Sequence, residues 1–234
     1  MTEQPIASPM SQGPTGRTHD PEGVRRNILE IATAEFAERG FSGARVDEIA
    51  AKTSASKRMI YYYFKDKEGL FIAVLEAAYA GIRNIELGLD LDGLSPVEAL
   101  RRLAEFTFDY QNANPDFVRL VMVENIHNGI HIDRSERMQS LNVSVLHVLD
   151  EVYRRGVGEG VFRDKIDIID LHMTISALSF FNVSNRSTFS KIFKRDMVTP
   201  AALAARRQVV AETVVRFALS DARPGIPTAR RRKS

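Results

Sequence analysis

The sequence predicts an all-α protein in which a small helix-turn-helix unit is followed by a larger helical domain. Three observations carry that expectation. Apolar residues recur at three- and four-residue steps along most of the 234 residues. Helix starts are punctuated by Ser95-Pro96-Val97-Glu98, Asn114-Pro115 and Thr199-Pro200. Alternation such as Lys165-Ile166-Asp167-Ile168 is too short to build a sheet.

Taken in order, residues 1–20 lead into a stretch that holds four of the nine prolines by position 21, and with little apolar content they are expected to be a disordered arm. A first helix starts near Val24, with Ile28, Ile31, Ala32, Glu35 and Phe36 on its periodic face and Gly40 as its stop. A short second helix covers Arg45 to Ala51, its first-turn acids Asp47 and Glu48 opposing the positive end of the helix dipole. Thr53-Ser54-Ala55 breaks it, and Ser56 is placed to cap a third helix from Lys57 to Phe64. A longer helix follows from Glu68 to about Leu87.

Beyond it, a Ser95 capping box opens a helix to about Gln111, and Pro115 opens another that ends near Gly129. Ser135 starts a helix to Arg155, which Gly156 to Gly160 terminate. Ile168 to about Asn182, Asn185 to Phe193 and Pro200 to about Leu219 complete the set. The expected domains are therefore 21–67, a helix-turn-helix unit, and 68–220, a helical domain, with a basic tail over 221–234.

Composition excludes several classes. An apolar content of 44% against 26% charged residues fits one or two domains with a real core. No run approaches the roughly 18 to 20 apolar residues that span a bilayer, and the N-terminal stretch has Pro, Gly and Ser where a signal peptide is apolar, so a cytoplasmic location is expected. The absence of cysteine removes disulfides, zinc–thiolate sites and thiol nucleophiles. The net charge of +2 hides two basic patches: five cations and no acid from Ala222 to Ser234, and Lys52, Lys57, Arg58, Lys65 and Lys67 against Asp66 alone from 52 to 67. A polyanionic partner is expected at those patches.

Residues 45–64 read helix, turn, helix, the layout of a DNA-reading unit. At 100° per residue Ile60, Tyr63 and Phe64 fall on one side of the third helix, and Arg58, Tyr61, Tyr62 and Lys65 on the other. That outward arc is cationic and aromatic. Arginine pairs with guanine in the major groove, lysine neutralises phosphate, and tyrosine adds hydroxyl and ring contacts. Candidate DNA-contacting residues are Arg45, Ser56, Lys57, Arg58, Tyr61, Tyr62, Lys65 and Lys67.

From Ile28 to Leu75 the chain, with FAERGF and ARVDEIAAKTSASKRMIYYYFKDKEGLF, closely resembles the DNA-binding domain of TetR-family transcriptional regulators. The resemblance implies that Ile60-Tyr61-Tyr62-Tyr63-Phe64 lies on the recognition helix, that Lys67 touches phosphate, and that a helical ligand-binding domain follows, dimerising through its last two long helices. The turn departs from the family's frequent glycine by carrying Ser54, which costs about 1 kcal/mol if that residue takes positive φ.

The expected function is that of a homodimeric regulator, a repressor, that binds a palindromic double-stranded DNA operator and responds to a small-molecule effector, with no cofactor and no metal. In the second domain Phe106, Tyr110, Asn125, His147, His172 and Phe180 are candidate ligand-binding residues, aromatic groups supplying burial and polar ones orientation. The dimer seam is expected along Leu171, Ile175, Leu178 and Phe181 with Val210, Val214 and Phe217, small residues Ala201, Ala202, Ala204 and Ala205 permitting close approach. A ligand-independent architectural DNA-binding protein is the first alternative, and a helical enzyme the second. Catalytic signals are lacking: Glu124, His127 and His131 read as ordinary polar residues because Gly129 interrupts them, and the Gly156 to Gly160 stretch follows a helix rather than a strand.

Overall fold

A computed structural model describes residues 20–220, which form ten α-helices. They are α1 Pro21–Gly43, α2 Val46–Lys52, α3 Lys57–Phe64, α4 Lys67–Leu87, α5 Pro96–Ala113, α6 Pro115–Ile126, α7 Glu136–Gly158, α8 Ile168–Ser184, α9 Arg186–Phe193 and α10 Pro200–Ala218. The fold is all-α as expected; among the described residues the one β-type feature is an isolated bridge between Phe162 and Leu219. No helix among them is long and apolar enough to cross a membrane. The expected arm, apart from Asp20, and the expected basic tail lie outside the described residues.

At seven of the ten helices a side chain at the start accepts from one of the first free N–H groups. Ser56 Oγ accepts from Met59 N–H, Asp66 from Gly69, Ser135 from Met138 and Thr199 from Ala202, while Ser95 and Glu98 form a reciprocal capping box. Two glycines act differently from the sequence expectation. Gly40 takes φ 69° and kinks α1 rather than ending it, and the helix resumes through Gly43, bringing Phe41 against the first core. α7 runs past Gly156 to Gly158, and a methyl group at Gly156 would overlap the Phe162 ring, so this glycine serves close packing rather than termination. Ser54 is not among the residues with positive φ and carries no left-handed strain.

Two cores organise the chain. The first joins Ile28, Ala32 and Phe36 of α1, Ile49 of α2, Ile60 and Phe64 of α3, and Leu70, Phe71 and Val74 of α4. Each of these large side chains contributes about 1.5–3 kcal/mol by leaving water. Phe36 meets Phe71 edge to face at 4.9 Å, and Phe41 lies 5.2 Å from Phe71. Buried Glu35 ties α1 to α2 through Lys52 Nζ at 2.8 Å. Leu120 of α6 is buried in this same core, with Val123 packed against it, so α6 is fastened to the first unit.

The second core gathers Leu100 and Leu103 of α5, Leu149 and Val152 of α7, Leu171 and Ile175 of α8, and Ala211 and Val214 of α10. This corrects the expected dimer seam. Leu171, Ile175, Val210 and Val214 are buried within their own subunit, and Leu178 packs against that core. α8 is apolar on more than one face, so its stripe alone does not say which side turns inward. The outward faces carry Ile169, Met173 and Phe181 on α8, and Val209 with Ala201, Ala204 and Ala205 on α10.

Candidate nucleic-acid interface and ligand cavity

The turn between α2 and α3 is held by Thr53, whose Oγ1 accepts the Ala55 N–H at 3.2 Å, and by Ala55, which is buried. This sets α3 with Ile60 and Phe64 inward and Tyr63 packed against the core. The opposite side is open: Lys57 and Arg58 are exposed, Tyr61 is 38% and Tyr62 84% exposed. Arg45, Ser56 and Lys65 are exposed around it. A protruding helix face bearing Arg, Lys and Tyr over a fixed apolar back matches what a major groove accepts.

Individual cations are held differently. Lys57 Nζ lies 2.8 Å from Asp47, and that hydrogen bond raises its pKa. Lys67 is half-buried: its Nζ sits 5.0 Å from the Phe41 ring centre and donates to Ser42 O at 3.4 Å, and burial lowers its pKa. Lys65 has φ 68° and ψ −59°, and Asp66 N–H donates to Phe64 O at 2.9 Å across it. This is the strained, positive-φ form of the γ-turn. It lets α3 end and α4 begin within two residues and leaves Lys65 outside.

A cavity of about 230 Å³ lies among α4, α5, α6 and α8. Tyr79, Phe117 and Phe180 give it aromatic walls, and Arg83, Gln111 and His172 supply polar groups. Of the sequence candidates, His172 and Phe180 line it directly. Tyr110 stands behind, its ring 6.0 Å from Phe117, and Phe106 is 6.0 Å further out from Tyr110. The structure does not bring Asn125 or His147 there: Asn125 is exposed and donates to Val121 O, and His147 is 72% exposed beside Glu151. Each belongs to the solvent side of its helix.

Sequence reasoning missed Tyr79, Arg83 and Gln111. A signal existed on α4, where Leu75, Tyr79, Ile82 and Arg83 recur at three- and four-residue steps on one face. An arginine on that stripe reads by default as solvated, but here it is buried and pairs with buried Glu86 at 2.6 Å.

Burial shapes the electrostatics around the cavity. Burial raises the Glu86, Tyr79 and Tyr110 pKa values, with the Arg83 charge opposing it in each case. Burial, reinforced by Arg83, pushes His172 down to about 4, so its imidazole is neutral at pH 7.

The cavity and the reading unit share two helices. α4 passes from the first core to the cavity wall, and α6 places Phe117 at the cavity and Leu120 in the first core. At the end of α6, buried Glu124 accepts the N–H groups of His131 and Ile132 at 2.8 and 3.0 Å and meets His131 Nδ1 at 2.7 Å. The His131 ring lies 4.6 Å from Phe41 and 4.9 Å from Phe71. Glu124 and His131 thus lock the α6 end onto the first unit.

Comparison with known proteins agrees with this architecture. Residues 28–74 match the family model described as bacterial regulatory proteins, tetR family, and residues 96–214 match the tetracyclin repressor-like C-terminal domain. The chain is 38% identical over 188 residues to the HTH-type transcriptional repressor NicS of Pseudomonas putida, covering 80% of this chain and 89% of that protein. It is 34% identical over 164 residues to the HTH-type transcriptional repressor SCO4008 of Streptomyces coelicolor, covering 68% and 78% respectively. Among solved structures, the transcriptional regulator SCO4942 of Streptomyces coelicolor superposes with a TM-score of 0.64 at 26% identity, covering 83% of this chain and 98% of that one.

Proposed function

The chain belongs to the TetR family of DNA-binding transcriptional regulators, and from that premise we propose that it acts as a cytoplasmic homodimeric repressor that leaves a palindromic operator when a small molecule enters the α4–α6–α8 cavity. It is not an enzyme. The observation that carries the DNA-binding reading is the α3 face itself, cationic and aromatic outside and locked by Ile60 and Phe64 inside. In this reading residues 21–67 form the reading head and 68–220 the sensing and dimerising domain. Arg58 and Tyr61 meet base edges or phosphate, and Arg45, Ser56, Lys57, Tyr62, Lys65 and Lys67 position the head on the backbone.

The second copy covers the outward faces of α8 and α10. Phe181, Phe189, Met197 and Val209 border a groove there of about 280 Å³, and the exposed Ala201, Ala204 and Ala205 let helices approach closely. Two heads so joined read half-sites about 34 Å apart. Release follows when the effector favours a conformation in which that spacing is wrong. α4 and α6 both touch the cavity and the head, so a tilt of either moves α3. A coupling of about 1–3 kcal/mol lowers operator affinity about 5- to 150-fold.

Footprinting of purified protein on genomic fragments tests the reading. One short protected palindrome is expected; uniform coating of all fragments would instead mark an architectural DNA-binding protein.

A further inference from the structure

Resting on the sensing role just described, we infer that the cavity takes an uncharged single-ring compound bearing an amide, its ring among Tyr79, Phe117 and Phe180 and its amide hydrogen-bonded to Gln111, His172 and Ser176. Size, charge balance and unmet hydrogen bonds lead there separately.

About 230 Å³ falls below the roughly 300–1,000 Å³ of pockets that hold drug-sized ligands, so a single ring with small substituents fits. Tyr79 and Phe117 meet edge to face at 5.3 Å, and Phe180 of α8 completes an aromatic wall. An aromatic ring gains more against such a wall than its buried area alone provides.

The charges of the wall cancel. Among the described lining residues Arg83 alone is charged at pH 7, and buried Glu86 answers it at 2.6 Å, while the His172 imidazole is neutral. A carboxylate or an ammonium group entering here would be buried without a counter-charge. That is costly, and an uncharged ligand avoids it.

The neutral polar groups, by contrast, are left unbonded. Tyr79, Gln111, His172 and Ser176 border the cavity from α4, α5 and α8, and none of their side chains makes a hydrogen bond within the protein among the described residues. Gln111 is 4% exposed and its Oε1 has no partner. Thr107, also in the wall, differs because its hydroxyl donates to Leu103 O of its own helix at 2.9 Å. Buried polar groups left unpaired are costly, and a ligand that both donates and accepts relieves them. A neutral imidazole offers one donor and one acceptor, a carboxamide offers both and hydroxyls either, so the complementary ligand edge carries an N–H beside a C=O.

The test is calorimetric titration of the full-length protein at neutral pH with benzamide, benzoate, benzamidine, toluene and octanamide. Benzoate and benzamidine keep the shape of benzamide and add a negative or a positive charge. Toluene keeps the ring without the hydrogen-bonding groups, and octanamide keeps the amide without the ring. Benzamide is expected to bind at least about tenfold tighter than each of the others. Any of the four equalling or exceeding benzamide, or no binding by any of the five, would overturn the assignment.

Gln111→Leu and Ser176→Ala each remove hydrogen-bonding atoms with little change of volume. Once circular dichroism and melting are seen to match the parent, each should lose about threefold or more in benzamide affinity while toluene affinity holds or rises. Equal losses for both probes would overturn the hydrogen-bond assignment. The ranking of probes on the parent protein decides the ligand class without the variants. Operator binding is titrated in parallel with each probe. Benzamide that binds as expected without weakening operator affinity would uphold the ligand class and sink the release mechanism. Release by benzoate or octanamide instead would uphold release and sink the ligand class.

Discussion

Replacing Lys67 by alanine probes how the reading head is held on DNA. Lys67 is the least exposed of the candidate DNA-contacting cations, with its ammonium over Phe41 and bonded to the Ser42 carbonyl, so it meets DNA with little further ordering. Each neutralised phosphate contributes about 0.9 to the slope of log affinity against log salt. A dimer that loses one contact per head should therefore show a slope shallower by about 1.8. At about 0.15 M salt the same relation removes about 1 kcal/mol per contact, or about 2 kcal/mol in all, which is about a 30-fold loss of affinity. The loss should be nearly the same for the operator and for an unrelated duplex, because phosphates carry no sequence. Fluorescence anisotropy of labelled duplexes from about 50 to 300 mM salt reads both quantities. Alanine also forfeits the contact with Phe41, so Lys67→Arg, which keeps charge and ring contact, serves as the control and should retain the parental slope. An unchanged slope in Lys67→Ala, or equal damage in Lys67→Arg, would refute the reasoning.

Arg58→Ala should cost about 1–3 kcal/mol on the operator if it reads a guanine, and much less on unrelated DNA, in mobility-shift titrations at fixed salt. Lys65→Gly should stabilise the fold by about 1 kcal/mol in urea melts, because glycine accepts φ 68° freely, while weakening DNA binding through the lost charge. Phe181→Asp should yield monomers in sedimentation velocity, since each copy forgoes about 1 kcal/mol of apolar burial and carries a charge into the seam. A variant that stays dimeric would move the interface elsewhere. His172 has an ordinary pKa of 6.5 and a folded value of about 4, so the unfolded chain binds its proton first as pH falls. Its contribution is fully present above about pH 6.5 and is lost progressively down to about pH 4, by at most about 3 kcal/mol. His172→Gln should flatten that part of the stability curve in urea melts at pH 7.5 and 5.

The first unit was legible because its information is local. Ser56 and the apolar steps of Ile28, Ile49, Ile60 and Phe64 each act within a turn or two, and helix periodicity says directly which face of α3 is left outside. The same local signals located Ser95, Ser135 and Thr199 at helix starts throughout the second domain. Side choice on helices with more than one apolar face was not local. Leu171 and Ile175 face their own core while Met173 and Phe181 face outward, and that is settled by where α5, α7 and α10 lie against α8. Asn125 and His147 look, in sequence, as much like pocket residues as His172 does, yet only His172 turns toward α4. The sequence by itself determined the helices, most of their starts and the outward face of α3, because hydrogen bonds and burial within a few residues decide those. Only the tertiary structure decided the cavity, because Tyr79, Arg83, Gln111, Phe117 and His172 come from four helices spread between residues 67 and 184, and burying a charge such as Arg83 is favourable only when packing supplies its partner.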